Sequence, residues 1–154
     1  MANHFTEEAL ALLKDLEGFK AEPYLCSGNV LTIGYGHTSK AGLPFVVEGM
    51  RLTEPEAEGI LLRDLLTFED AVRRLVRARL TDTEFSACVI LCFNIGEGNF
   101  GSSTMLRRLN AGDREGALEA WGWWTYADGE HVPGLATRRA REIALFRGRA
   151  DPGS

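Results

Sequence analysis

The sequence predicts a mainly helical α+β fold, with a small N-terminal β-sheet lobe and a helical C-terminal lobe joined by a long helix. Three observations carry this. A 3.6-residue apolar pattern runs through most of the chain. One short β-type run, Val30-Leu31-Thr32-Ile33, lies near its start. Two Thr-x-x-Glu capping boxes, at Thr53 and Thr81, open the strongest helical stretches. At 154 residues the chain suits a single domain of two lobes, with the cleft between them as the place for a ligand.

Thr6 is expected to cap a helix over residues 6 to 17, with Glu7 and Glu8 in its first turn and Gly18 as its stop. Leu10, Leu13 and Leu16 form its apolar face. Pro23, a Ser27-Gly28-Asn29 turn and the β-type run mark a hairpin or three-stranded sheet within residues 23 to 37. The Thr53-Glu54-Pro55-Glu56 box starts an amphipathic helix whose pattern extends to about residue 79. Thr81-Asp82-Thr83-Glu84 starts "FSACVILCFNIG", apolar on most sides and therefore the buried centre of the helical lobe.

Gly96, Gly98 and Gly101 are expected to break the chain before a short helix from about 103 to 110. Asn110-Ala111-Gly112-Asp113 ends that helix and starts one that carries Trp121, Trp123 and Trp124, read as core in preference to a sugar-stacking surface. After a turn at Asp128-Gly129, Pro133-Gly134 leads a last helix with Arg138, Arg139 and Arg141. The tail from about residue 149 to 154 is expected to be disordered.

Composition narrows the function classes. Apolar residues make up 45% and charged residues 25%, and the net charge of −5 comes with no basic block. That speaks against nucleic-acid binding, which needs a basic face. No stretch approaches the ~18 apolar residues of a membrane span, so no membrane insertion is expected. The N-terminus lacks the basic and uninterrupted apolar regions of an export signal. Cys26, Cys88 and Cys92 make neither a disulfide framework nor, with the scattered histidines, a zinc-like spacing, so no metal is expected. Cys88 and Cys92, four apart on one helix, read as small buried apolar residues.

The chemistry concentrates in "LEGFKAEPYLCSGNVLTIGYGHT", residues 16 to 38. Glu17 ends its helix, where the macrodipole is negative and disfavours a second negative charge. Such a position suits a carboxyl that must reach a leaving group still carrying its proton. Cys26 follows nine residues later, Thr32 six after that, then a Gly-Tyr-Gly-His turn. Gly34 and Gly36 are read as providing tight backbone geometry.

At these intervals the chain closely resembles phage-type lysozymes, the endolysins of glycoside hydrolase family 24. That family carries a Glu–Asp–Thr triad with a Thr-x-Gly-Tyr-Gly-His segment. The likeness continues in "FNIGEGNFGSSTMLRRLNAGD" and "VPGLATRRAREIALFRG", and covers about residues 6 to 148. It implies a muramidase that hydrolyses the β-1,4 bond between N-acetylmuramic acid and N-acetylglucosamine of bacterial peptidoglycan, with no cofactor. Glu17 would be the general acid, and Thr32 would hold the attacking water. Cys26 stands where the family has the aspartate that activates that water, which leaves it as base, nucleophile or bystander.

The resemblance also implies that His37 pairs with an acid of the long helix, for which Asp64 is best placed. Arg138 falls where an arginine approaches the catalytic glutamate. Thr38, Phe93, Ser103 and Thr104, with Arg138, are the expected substrate-binding residues. A monomer that waits in the host cytoplasm for a separate holin to release it to the cell wall is the implied biology. The departure at Cys26 supports one rival, a catalytically inactive lysozyme-fold module that binds peptidoglycan or a protein.

Overall fold

In the computed structural model, which describes residues 3–26 and 28–153, the chain divides into two compact units. Ser27 of the expected turn lies outside the described residues. One unit is Ala11–Thr67, and the other takes in Phe68–Ser154 together with Met1–Leu10.

Helix α1 (Glu7–Glu17) begins as its sequence dictates: the Thr6 hydroxyl accepts from the Ala9 N–H at 3.1 Å. Gly18, at φ +72°, ends it and accepts no side-chain penalty for doing so. Strands β1 (Lys20–Cys26), β2 (Val30–Gly34) and β3 (His37–Thr38) form an antiparallel sheet in the order β1-β2-β3. The sheet starts three residues before the expected limit. Tyr24 opposes Thr32 and Cys26 opposes Val30, whereas Lys20 opposes Gly34, so the register slips between Lys20 and Tyr24. Pro23, which has no N–H to give a ladder, sits in that irregular stretch.

Helix α2 (Glu54–Leu75) opens on the expected capping box, with Glu56 accepting from the Thr53 N–H at 2.9 Å and Thr53 from the Glu56 N–H at 3.3 Å. It ends at Leu75, short of residue 79. The Asn110 side chain accepts from the Arg77 N–H at 2.7 Å and donates to the Leu75 carbonyl at 3.0 Å. Those backbone groups are thereby withdrawn from a further helical turn. Within Ala11–Thr67, the buried apolar side chains are Leu12, Leu13, Ile33, Tyr35, Val46, Leu52, Ala57, Leu61 and Leu65.

Helix α3 (Asp82–Ile95) starts on the full Thr81–Glu84 capping box, and every residue from Phe85 to Cys92 is buried. A helix buried on all sides needs no polar face. Each large apolar side chain there contributes roughly 1.5–3 kcal/mol by leaving water, so truncating Leu91 to Ala should cost ~2–5 kcal/mol. The glycine-containing stretch expected as a break is itself a short helix, α4 (Glu97–Gly101). Helices α5 (Thr104–Asn110), α6 (Arg114–Trp121) and α7 (Pro133–Phe146) follow, with Pro133 at the start of α7. Strands β4 (Tyr126–Ala127) and β5 (Glu130–His131) form a two-stranded hairpin. Asp128 and Gly129 turn it with positive φ, the geometry of an Asp-Gly hairpin.

Of the three tryptophans, only Trp121 lies on α6 and in the core. Trp123 follows the helix end and is 53% exposed, with the Arg108 guanidinium 5.0 Å from its ring centre. Its helix stops early because Gly122 and Trp123 turn back onto the Leu118 and Ala120 carbonyls. Residues 149–153 carry no helix or strand, but Asp151 accepts two hydrogen bonds from Arg141, at 2.8 and 2.7 Å.

Candidate active site

The region around Glu17 is built by α1, the first turns of α2 and the three-stranded sheet. Lys14, one turn before Glu17, reaches Glu54 at 2.9 Å and Glu58 at 2.7 Å on α2. The Tyr35 hydroxyl donates to Glu54 at 2.8 Å. Hydrogen bonds that it donates to these carboxylates raise the Lys14 ammonium above its ordinary value, and Lys14 in turn holds Glu54 below the usual carboxylate range. This cluster fixes the end of α1 and the Gly34–Tyr35–Gly36 turn against the start of α2. Gly34 packs so closely that a β-carbon there would lie 3.2 Å from Ala57 Cβ. Gly36, at φ +80°, brings its backbone against the Glu17 carboxylate.

Strand periodicity places Tyr24 and Cys26 on one face of β1, and Thr32 joins them as the direct partner of Tyr24. Cys26 is exposed. Tyr24 is half-buried, and its phenol is pushed up by burial, then by the charges of Cys26 and Glu17. Cys26 and Glu17 each lie within electrostatic reach of the Tyr24 phenol. Thr32 is only 2% exposed, and its hydroxyl donates to the Val30 carbonyl at 3.0 Å. Thr38 is the cross-strand partner of Thr32 on β3.

His37 and Asp64 are brought together as a buried pair, Nδ1 to Oδ2 at 2.7 Å. The other ring nitrogen meets the Pro44 carbonyl at 2.9 Å, so the imidazole ties β3, α2 and the following loop. Burial raises the hold of the Asp64 carboxyl on its proton, and the hydrogen bond and charge of His37 oppose that. Both side chains are buried.

The remaining expected residues belong to the helical unit. Phe93 packs edge-on against Phe68 with ring centres 5.3 Å apart. Ser103 is buried and caps α5: its oxygen accepts from the Leu106 N–H at 3.0 Å and donates to the Phe100 carbonyl at 2.8 Å. Thr104 accepts from Arg107 at 2.9 Å. Arg138 donates to Glu142 at 3.0 Å. Glu142 is fully buried, accepts from the Trp121 indole at 3.0 Å and pairs with Arg139 at 3.1 Å. Arg139 also bonds Asn94.

Three features of this region escape a reading by motif: the Lys14–Glu54–Glu58–Tyr35 cluster, Tyr24, and the buried Glu142. Tyr24 alone carried a usable signal, since a residue two before Cys26 in a strand must share its face.

A family model described as phage lysozyme matches residues 14–142. The chain is 39% identical over 133 residues to a SAR-endolysin of Bacteriophage PS119, across 85% of this chain and 77% of that protein. It is 38% identical over 141 residues to the endolysin of Salmonella phage P22, across 92% of this chain and 96% of that one. Among solved structures, the muramidase domain of SpmX from Asticaccaulis excentricus matches with a TM-score of 0.85 at 36% identity, covering 94% and 97% of the two chains. A crystal structure of a P22 lysozyme mutant matches with a TM-score of 0.84, also at 36% identity, covering 96% and 99%. Family model, relatives and fold agree: the chain belongs to the phage lysozyme family and is a peptidoglycan-hydrolysing muramidase.

Proposed function

We propose that this muramidase cleaves the β-1,4 bond between N-acetylmuramic acid and N-acetylglucosamine by an inverting route, with Glu17 as general acid and Cys26 as general base. Cys26 takes the place of the family's aspartate. As the bond from the anomeric carbon to the departing oxygen breaks, Glu17 gives that oxygen its proton. Water adds to the anomeric carbon from the opposite side, and its proton passes to the Cys26 sulfur. Thr32 lies on the water's side of the sugar. No cofactor is needed, because the chemistry is proton transfer and water attack alone.

What supports this reading is the strand register that puts Cys26, Tyr24 and Thr32 on one sheet face, with the charges of both Cys26 and Glu17 felt by the Tyr24 phenol. Thr38, Phe93, Thr104 and Arg138 contact the glycan, whereas Ser103, expected beside them, is buried in the cap of α5. The protein acts as a monomer, waits in the host cytoplasm and reaches the wall when a separate holin opens the inner membrane. Among the described residues no helix is long and apolar enough to cross a membrane.

The test is release of reducing ends from purified cell walls, with Glu17→Gln beside wild type. The amide keeps the shape of the side chain and has no proton to give, so the rate should drop ~10²–10⁴-fold with the melting temperature unchanged. Near-normal clearing by Glu17→Gln would remove Glu17 as the acid.

A further inference from the structure

The end of α2, the residues that follow it and the last turn of α5 enclose a groove of about 410 Å³ on the helical unit. That is the size of a small-molecule site, ~300–1,000 Å³. None of the residues assigned above to hydrolysis lines it. Arg74, Arg77 and Arg107 do, together with the apolar side chains of Leu75 and Leu106. Glu97 pairs with Arg74. Among the described residues neither Arg77 nor Arg107 has a carboxylate partner, and the Arg77 side chain makes no hydrogen bond. Two positive charges are therefore left uncompensated in one groove of a chain whose net charge is −5.

Both unpaired groups are held in place. The Arg77 N–H donates to the Asn110 side chain at 2.7 Å, and that side chain donates in turn to the Leu75 carbonyl at 3.0 Å, which fixes the backbone on which Arg77 is mounted. Arg107 donates to the Ser102 carbonyl at 3.2 Å and to the Thr104 hydroxyl at 2.9 Å. These neutral acceptors orient the guanidinium without cancelling its charge, and they leave three of its five N–H groups to give. Like charges held close repel one another, a cost that a bound anion removes. A carboxylate would bring one negative charge and is satisfied by a single guanidinium fork. A phosphate monoester brings ~2 charges at neutral pH and three strong acceptor oxygens, enough for more than one guanidinium at once. We infer that this groove is a binding site for a phosphate monoester, its terminal oxygens held by Arg77 and Arg107 and its carbon-bearing part set against Leu75 and Leu106.

Inorganic phosphate titrated calorimetrically into the whole chain at low salt and neutral pH should bind at one site, and acetate at least ~10-fold more weakly. Arg77→Gln and Arg107→Gln should each weaken phosphate about 10-fold or more, the usual worth of a hydrogen bond to a charged group. Arg149→Gln, at an exposed arginine outside the groove, is the control and should leave binding unchanged. Phosphate should raise the melting temperature of wild type and not that of Arg77→Gln. Without phosphate those two should melt together, because the Arg77 side chain has no partner to lose. Two further arms separate the sources of the ester. Glucosamine 6-phosphate that binds more tightly than inorganic phosphate assigns it to a sugar. Co-sedimentation with phosphatidylcholine vesicles containing phosphatidic acid, lost in Arg77→Gln, assigns it to a lipid. The inference is overturned if phosphate does not bind, binds no better than acetate, or binds both variants as it binds wild type. Binding of inorganic phosphate with neither ester retained overturns it as well.

Discussion

Gly36 lies against the Glu17 carboxylate: a β-carbon at this position would come within 2.9 Å of its Oε1 and 3.8 Å of its carboxyl carbon. Gly36→Ala therefore carries two separable costs. Positive φ in a residue with a β-carbon costs ~1–2 kcal/mol of stability. The clash moves Glu17, and a small displacement of a general acid is costly to rate. Gly28 has the same φ of +80° and nothing within 4 Å of its would-be β-carbon, so Gly28→Ala isolates the first cost. Both variants should melt lower by a similar amount, and only Gly36→Ala should lose activity, by ~10-fold or more. Equal activity in the two would show that Glu17 tolerates the intrusion.

The His37–Asp64 pair gives a prediction about stability alone. Removing one partner of a buried, hydrogen-bonded pair leaves the other without compensation, at a cost of ~3–5 kcal/mol. His37→Ala should lower the melting temperature accordingly. Measured well below that temperature, its kcat should stay close to wild type, because the imidazole is occupied on both nitrogens. A collapse of kcat in a protein of unchanged melting temperature would instead make His37 a participant in the chemistry.

What the sequence made legible was local chemistry. The caps at Thr6, Thr53 and Thr81 depend on residues three positions away, and each forms as expected. The end of α2 depends on Asn110, 35 residues beyond Leu75, and no local pattern announces it. Trp123 reads as helical because its neighbours are, yet the chain turns one residue earlier. In the site, Glu17, Cys26 and Thr32 stood out by spacing, through a resemblance. Tyr24 did not, although its place two residues before Cys26 in a strand puts it on the same face. The role of Gly36 was half visible: a tight turn was expected, and the carboxylate it turns against was not.

Glu54 predicts how the fold responds to acid. The hydrogen bond from Lys14, then that from Tyr35, holds its carboxyl below the ordinary range. A folded value below the unfolded one means that ionised Glu54 stabilises the native state. That contribution is complete above the unfolded carboxylate value of about 4.3 and is lost as pH falls through the folded value. Glu54→Gln should thus lower the melting temperature most at neutral pH, with the gap to wild type closing as the pH falls below the ordinary carboxylate range. A gap that stays constant across a circular-dichroism melting series would show that the ion pairs contribute nothing and only packing was lost.

The thiols differ enough for chemistry to sort them. Burial pushes Cys92 up to about 12 and Cys88 higher still, while Cys26 is exposed on the sheet face beside Tyr24. Native protein treated with iodoacetamide should therefore lose one thiol quickly, at Cys26, and the other two only after unfolding. Activity should fall in step with that first modification. Cys26→Asp should stay active, because a carboxylate can take the water's proton as well as a thiolate can, and it should become insensitive to iodoacetamide. Cys26→Ala should lose most activity. The stereochemistry of the first product then separates the chemical roles: a base gives inversion at the anomeric carbon, whereas a sulfur nucleophile forms a glycosyl–enzyme bond and gives retention. Inversion in wild type and in Cys26→Asp alike is the expected result. Retention in wild type would make the sulfur the attacking atom, and full activity in Cys26→Ala would leave Glu17 to act with a water that needs no base.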